Sequence, residues 1–125
     1  MKLNLMKKTS AIILLISLMT FAHAKILCAP VNRIQALAEK LDTAQKIGNN
    51  YIAYTATSVF QSNDLWWFLG VGDIFANSSN DAINIGKSFL SKATEQIDVY
   101  AKKVGDEYIC NYGPGYIQAR GKNLL

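Results

Sequence analysis

Cys28 and Cys110 are the only cysteines among 125 residues, and no other feature limits the possible folds as much. Their meaning depends on compartment. Lys2, Lys7 and Lys8 form a basic n-region, Ala11 to Met19 an apolar stretch and Ala22-His23-Ala24 a small-residue cleavage site. That is the layout of a secretory signal peptide over residues 1–24, and its apolar run is too short for a membrane anchor. In an oxidising exported compartment the two thiols are expected to join. A lipidated cysteine needs a small residue before it, and Leu27 stands there instead. Two thiols are also too few for a metal site. The bond would close a loop of about 80 residues, worth roughly 4 kcal/mol in the chain-entropy model. It would staple a single domain over residues 25–125, a size at which burial alone is marginal.

Removing the leader changes the composition. It takes three of the 13 basic residues, all three methionines and the only histidine, leaving ten basic side chains against nine acidic ones. The mature net charge is therefore only +1. Without histidine, Ser-His-Asp and Cys-His catalysis and imidazole metal ligation are excluded. The carboxylates read as caps or solvated faces rather than as a catalytic pair. Gly70-x-Gly72 lacks the third glycine and the preceding strand of a phosphate loop, and no C-x-x-C or G-x-S-x-G is present. These readings predict no enzyme, no cofactor and no metal.

Two segments carry a helical period. Ile34, Leu37, Leu41, Ala44, Gly48, Tyr51 and Thr55 follow alternating steps of three and four, as do Ile83, Gly86, Leu90, Ala93, Ile97, Tyr100 and Val104. Ser78 to Asn80 offer a cap for the second, with Asp81 suited to its dipole. Asn63 or Asp64 offers a cap for a short apolar helix between them, over Asp64 to Phe75. Gly105 or Gly113-Pro114-Gly115 ends the second long helix, and Gly48-Asn49-Asn50 is the weak point of the first. The expected fold is an all-α bundle of two long antiparallel helices and a short apolar third, stapled at one end by Cys28–Cys110. Gly48 and Gly86 would face each other where the helices approach.

That arrangement predicts two candidate surfaces. The disulfide end, residues 25–36 and 99–125, sums to +4, and residues 37–98 to −3. Arg33, Lys102, Lys103, Arg120 and Lys122 would contact the phosphates of an anionic ligand, with Tyr112 and Tyr116 beside them. The structural alternative is a solvated helix end, where the dipole favours Lys102 and Lys103 in any case. Six cations without a reading module argue against nucleic acid. The second surface is Trp66-Trp67-Phe68, either a core plug or an exposed aromatic wedge for a bilayer interface or a protein partner's groove.

The lysine-led leader ending Ala22-His23-Ala24, the Lys/Asn/Ile-rich helical body and the Cys28–Cys110 pair resemble small exported proteins of Gram-negative intracellular pathogens. The nearest group is the small helical type II secretion substrates of Legionella-like bacteria. The resemblance covers the whole chain in character and transfers no functional residue by position. It implies release beyond the periplasm and a virulence-associated role against host cells, through phosphoinositide-bearing membranes. The resulting expectation is a secreted, non-enzymatic binding protein for an anionic host lipid headgroup. Its rival is a periplasmic or secreted inhibitor or adaptor that docks a protein through the Trp66-Trp67 helix.

Overall fold

The computed structural model describes residues 25–124. The leader read at 1–24 lies outside the described residues, as does Leu125. The described chain is mixed α/β, which overturns the all-α bundle. It begins with a six-residue helix α1 (Val31–Ala36) and a single 3-10 turn (Ala38–Lys40). Strands β1 (Thr43–Ile47), β2 (Asn50–Tyr54), β3 (Phe60–Ser62) and β4 (Leu65–Ile74) follow. A 13-residue helix α2 (Ser79–Ser91) leads to β5 (Glu95–Gln96), β6 (Lys102–Val104), β7 (Glu107–Gly113) and β8 (Tyr116–Lys122). The eight strands form one antiparallel sheet in the order β1-β2-β4-β8-β7-β5, with β3 on β4 and β6 on β7.

The first predicted helix breaks up at its turns. Gly48, at a φ of 61°, starts a two-residue turn that pairs Ile47 with Asn50. A positive φ there costs glycine nothing, and Gly-Asn between apolar strands is a hairpin signal. Asn63 and Asp64 are not caps. Both take positive φ, 55° and 61°, and form the tight turn that pairs Ser62 with Leu65. Gly105 turns β6 back into β7 in the same way, pairing Val104 with Glu107.

The predicted short apolar helix is β4, the central strand. Leu65, Trp67, Leu69 and Val71 point into the core; Trp66, Phe68, Gly70 and Gly72 point to the opposite face. The alternation is concealed in the sequence because Trp66 and Phe68 are apolar too. A bulge follows at Asp73, φ 57°, where the register with β2 shifts and Ile74 returns to the core. Of the second predicted helix only its first half exists. Ser78 Oγ accepts from the Asp81 backbone N–H at 3.1 Å, and α2 runs to Ser91. Beyond it, Ala93 to Val104 forms a discontinuous edge strand along β7, closed from outside by residues 26–28 through Cys28 N–H to Val99 O and Ala101 N–H to Ile26 O.

The disulfide is formed, with Cα atoms 5.7 Å apart. It ties that N-terminal segment to the middle of β7 and does not join two helices. Helix α2 lies across β1, β2 and β4 with Ala82, Gly86 and Leu90 inward. Gly86 does serve a close approach, though to the sheet rather than to Gly48: a Cβ there would sit 2.8 Å from Ala53 Cβ. The core therefore lies on one face of the sheet, between α1, the 3-10 turn, α2 and the inward residues of β2, β4, β7 and β8. Among the described residues no helix lies over the other face of the central strands.

Candidate functional site: the open face of the central strands

Residues opposite one another in an antiparallel pair share a face, so the register writes out the open surface as rows. One row runs Trp66–Lys122–Glu107 and the next Phe68–Arg120–Ile109–Lys102. The third runs Gly70–Gln118–Asn111, and the fourth pairs Gly72 with Tyr116. Strand β2 adds Ile52 and Tyr54, and β1 adds Gln45. These strands enclose a concavity of about 640 Å³, floored by Gly70 and Gly72 and flanked by Tyr54, Phe68, Tyr116, Gln118, Arg120 and Lys122. The floor is low because two adjacent outward positions of β4 lack side chains. A Cβ at Gly70 would stand 3.9 Å from Tyr54 Cβ, and one at Gly72 3.6 Å from Tyr116 Cβ, ordinary contact distances, so a methyl group would fit there without a clash.

Polar order runs across the same face. Arg120 donates through Nε and Nη2 to Gln118 Oε1, at 3.2 and 3.1 Å, and through Nη1 to Glu107 Oε2 at 3.4 Å. Lys122 Nζ lies 3.4 Å from Glu107 Oε1 and 5.4 Å from the centre of the Phe68 ring. Two cations thus share one carboxylate and leave a net positive charge at one end of the concavity. Gln118 donates through Nε2 to Asn111 Oδ1 at 3.0 Å, and Asn111 donates through Nδ2 to Asp98 Oδ2 at 2.8 Å. Asp98 is 8% exposed and also accepts from the Asn111 backbone N–H at 2.9 Å. Burial raises its pKa, but the two Asn111 hydrogen bonds and the nearby Lys102 outweigh that and hold it below the ordinary carboxylate value.

The residues predicted as one phosphate site are dispersed. Tyr116, 70% exposed, shares the open face with Arg120 and Lys122. Lys102 lies at the margin of that face, 3.5 Å from Asp98 Oδ1. Lys103, one residue on, is on the opposite face, over the Tyr108 ring and beside a smaller cavity. Arg33 sits on α1 with its guanidinium 4.4 Å from the Phe60 ring centre, on the core side. Tyr112 is fully buried and donates to Ala29 O at 2.6 Å, and burial, with the charge of Asp98, pushes its hydroxyl up to about 12. The basic end imagined for a helical hairpin does not exist, so the lipid-headgroup reading loses its geometric basis.

The aromatic triplet divides by strand alternation. Trp67 is 2% exposed, stacks on Phe60 at 5.8 Å and donates through Nε1 to Ser62 O, so it belongs to the core. Trp66, 37% exposed, and Phe68 stand on the open face with Lys122 and Arg120. Two of the three aromatics thus meet Tyr116, Arg120 and Lys122 at one site, with Lys102 at its margin. Tyr54, Asp98, Glu107, Asn111 and Gln118 were missed. The clean alternation of Tyr116, Gln118, Arg120 and Lys122 with Ile117, Ala119 and Gly121 was the signal that could have located the face.

Comparison with family models, curated proteins and solved structures returns no match. Among the described residues no group of three His, Cys, Asp or Glu side chains gathers where it could hold a metal ion.

Proposed function

We propose that this is an exported binding protein that takes a small ring-bearing anion on the open face of its sheet. The observation that carries the reading is the meeting of Arg120 and Lys122 with Phe68, Tyr54 and Tyr116 around a glycine-floored concavity. Its volume suits a small organic ligand. The rings and bare backbone offer a surface for a flat or apolar moiety, and the guanidinium and ammonium offer a place for carboxylate or phosphate.

The test is titration of the mature, disulfide-bonded protein with phenyl phosphate, benzoate, inorganic phosphate and phenol, followed by the fluorescence of Trp66 beside Lys122. Ring-bearing anions should bind best, more weakly as salt rises, and Arg120→Ala/Lys122→Ala should lose them without a change in melting temperature. Equal binding of phenol, or binding unaffected by the double variant, would count against the reading. A second reading rests on the exposure of Trp66: a protein partner could dock on the same face. It predicts capture that tolerates salt and is lost in Trp66→Ala.

A further inference from the structure

An exposed arginine ordinarily samples many rotamers and must give them up when it binds an anion. Arg120 is held in advance. Its Nε–Nη2 edge is fixed on a single oxygen of Gln118 and its Nη1 on Glu107. Those contacts use three of the five N–H groups a guanidinium carries, and the other two have no acceptor among the described residues.

What fixes Gln118 is less local. An amide can present either its oxygen or its NH2, and only an acceptor at Gln118 suits Arg120. That choice is made at the edge of the sheet. Ionised Asp98 can only accept, so Asn111 must turn its Nδ2 toward it, at 2.8 Å. Asn111 Oδ1 then faces Gln118, which answers with Nε2 at 3.0 Å and leaves Oε1 for Arg120. The row has one polarity from end to end, set by the carboxylate. Hydrogen bonds from Asn111 and the ammonium of Lys102 keep that carboxylate ionised in spite of its burial.

We propose that Asp98 is the positioning residue of the open-face site, acting through Asn111 and Gln118 to hold Arg120 ready for the anion. This rests on the anion-binding reading above. With a neutral side chain at 98 either amide can turn over, and Gln118 can then point NH2 at a guanidinium that needs an acceptor.

The experiment uses the mature, disulfide-bonded chain, with two readouts: hydrogen exchange of the Arg120 Nε–H by NMR, and affinity for phenyl phosphate. In Asp98→Asn the Arg120 Nε–H should exchange faster and affinity should fall about fivefold, the typical net worth of a hydrogen bond. Adding Gln118→Glu restores an acceptor to Arg120 without the relay, so Nε–H protection should return in Asp98→Asn/Gln118→Glu. A merely structural role for Asp98 predicts no such rescue. Should Asp98→Asn fail to fold, Asn111→Leu cuts the row between Asp98 and Gln118 while leaving Gln118 in place, and it should expose the Nε–H in the same way; unchanged protection there overturns the relay. Unchanged exchange and affinity in a folded Asp98→Asn, with wild type still binding, overturn the positioning role alone. Wild type that binds no phenyl phosphate at low salt overturns the anion-binding reading, and the role with it.

Discussion

A methyl group at position 121 tests the face assignment on which the site depends. Gly121 lies on β8 opposite Trp67, on the core side. A Cβ built there would stand 2.9 Å from Trp67 Cε2 and Cζ2 and 3.0 Å from Cη2. Carbon pairs are comfortable at about 3.5–4.0 Å, so the ring must retreat by roughly half an ångström or more. It has little room: Trp67 is stacked on Phe60 with planes 9° apart, and the Arg33 guanidinium lies against Phe60. Overpacking of this kind costs about 1–3 kcal/mol, against about 0.5–1 kcal/mol gained when alanine replaces glycine within a strand. The clash wins, and Gly121→Ala should be destabilised by about 1–2 kcal/mol, or a melting temperature about 5–15 °C lower for a domain of this size.

The control is the same change on the other face. At Gly70 the nearest atoms to a new Cβ, Ala53 O and Tyr54 Cβ, are both 3.9 Å away, so Gly70→Ala should be as stable as wild type or up to about 1 kcal/mol more stable. Thermal and urea melts followed by near-ultraviolet circular dichroism read both variants, and the dichroism also reports the Trp67 environment. If Gly121→Ala melts at or above wild type, or the two variants shift alike, the division of the sheet into a packed and a bare face is wrong.

Filling the concavity should separate binding from folding: Gly70→Val and Gly72→Val should keep a near-wild-type melting temperature and lose most affinity for phenyl phosphate, measured by calorimetric titration. Breaking the staple should do the reverse. Cys28→Ser/Cys110→Ser opens a loop with a sequence separation of 82, and loss of roughly 4 kcal/mol should appear as a much lower urea midpoint. Tyr112 gives the molecule an alkaline limit. Its folded pKa, about 12, stands above the ordinary tyrosine value of 10.0, so its contribution is complete below pH 10 and is lost as pH rises from there through about 12. Tyr112→Phe should show a flatter stability profile across that window. Asp98 acts at the acid end: its lowered pKa gives stability that is present above the ordinary carboxylate range and lost as pH falls through the folded value. Acid melts of Asp98→Asn should lack that component.

The staple and the cap at Ser78 were legible in the sequence, because they rest on compartment and on local chemistry; Gly86 was singled out for a close approach, but against Gly48 of the other predicted helix and not against Ala53 of the sheet. The sheet was not legible. Ile34 to Thr55 fits steps of three and four, yet the decisive information lay in Gly48-Asn49, a two-residue turn that outweighs the seam. In β4 both faces are apolar, so the period of two vanishes into a continuous run that suits a buried helix equally well. Ala93 to Val104 kept a helical rhythm by coincidence of side-chain type, while its backbone was needed to close the edge of β7. The site suffered from the same error. Placed on helices, Lys102 and Lys103 share a basic end; on a strand, adjacent residues point to opposite faces, and only Lys102 reaches the margin of the open side. The polar row from Asp98 to Arg120 runs from the segment after β5 across β7 to β8, and it depends on a strand register that has no linear signature.

A domain this small whose described residues place no helix over one face of its central sheet gives up burial there. The stabilising features collect on the other face. Trp67, Tyr112, Leu69, Ile117 and the disulfide are all inward, and α2 comes close enough at Gly86 to meet Ala53. Strand β7 shows the division within two residues. Cys110 points in and carries the covalent tie to Cys28, while Asn111 points out and carries the relay to Gln118. Because Asp98 bonds both the backbone and the side chain of Asn111, it links the stapled edge to the polar order of the open face. The polar row of the bare face is therefore anchored on the same strand, β7, that carries the covalent tie of the packed one. A surface with loosely held arginine and glutamine side chains would need no such connection; a preorganised binding surface does.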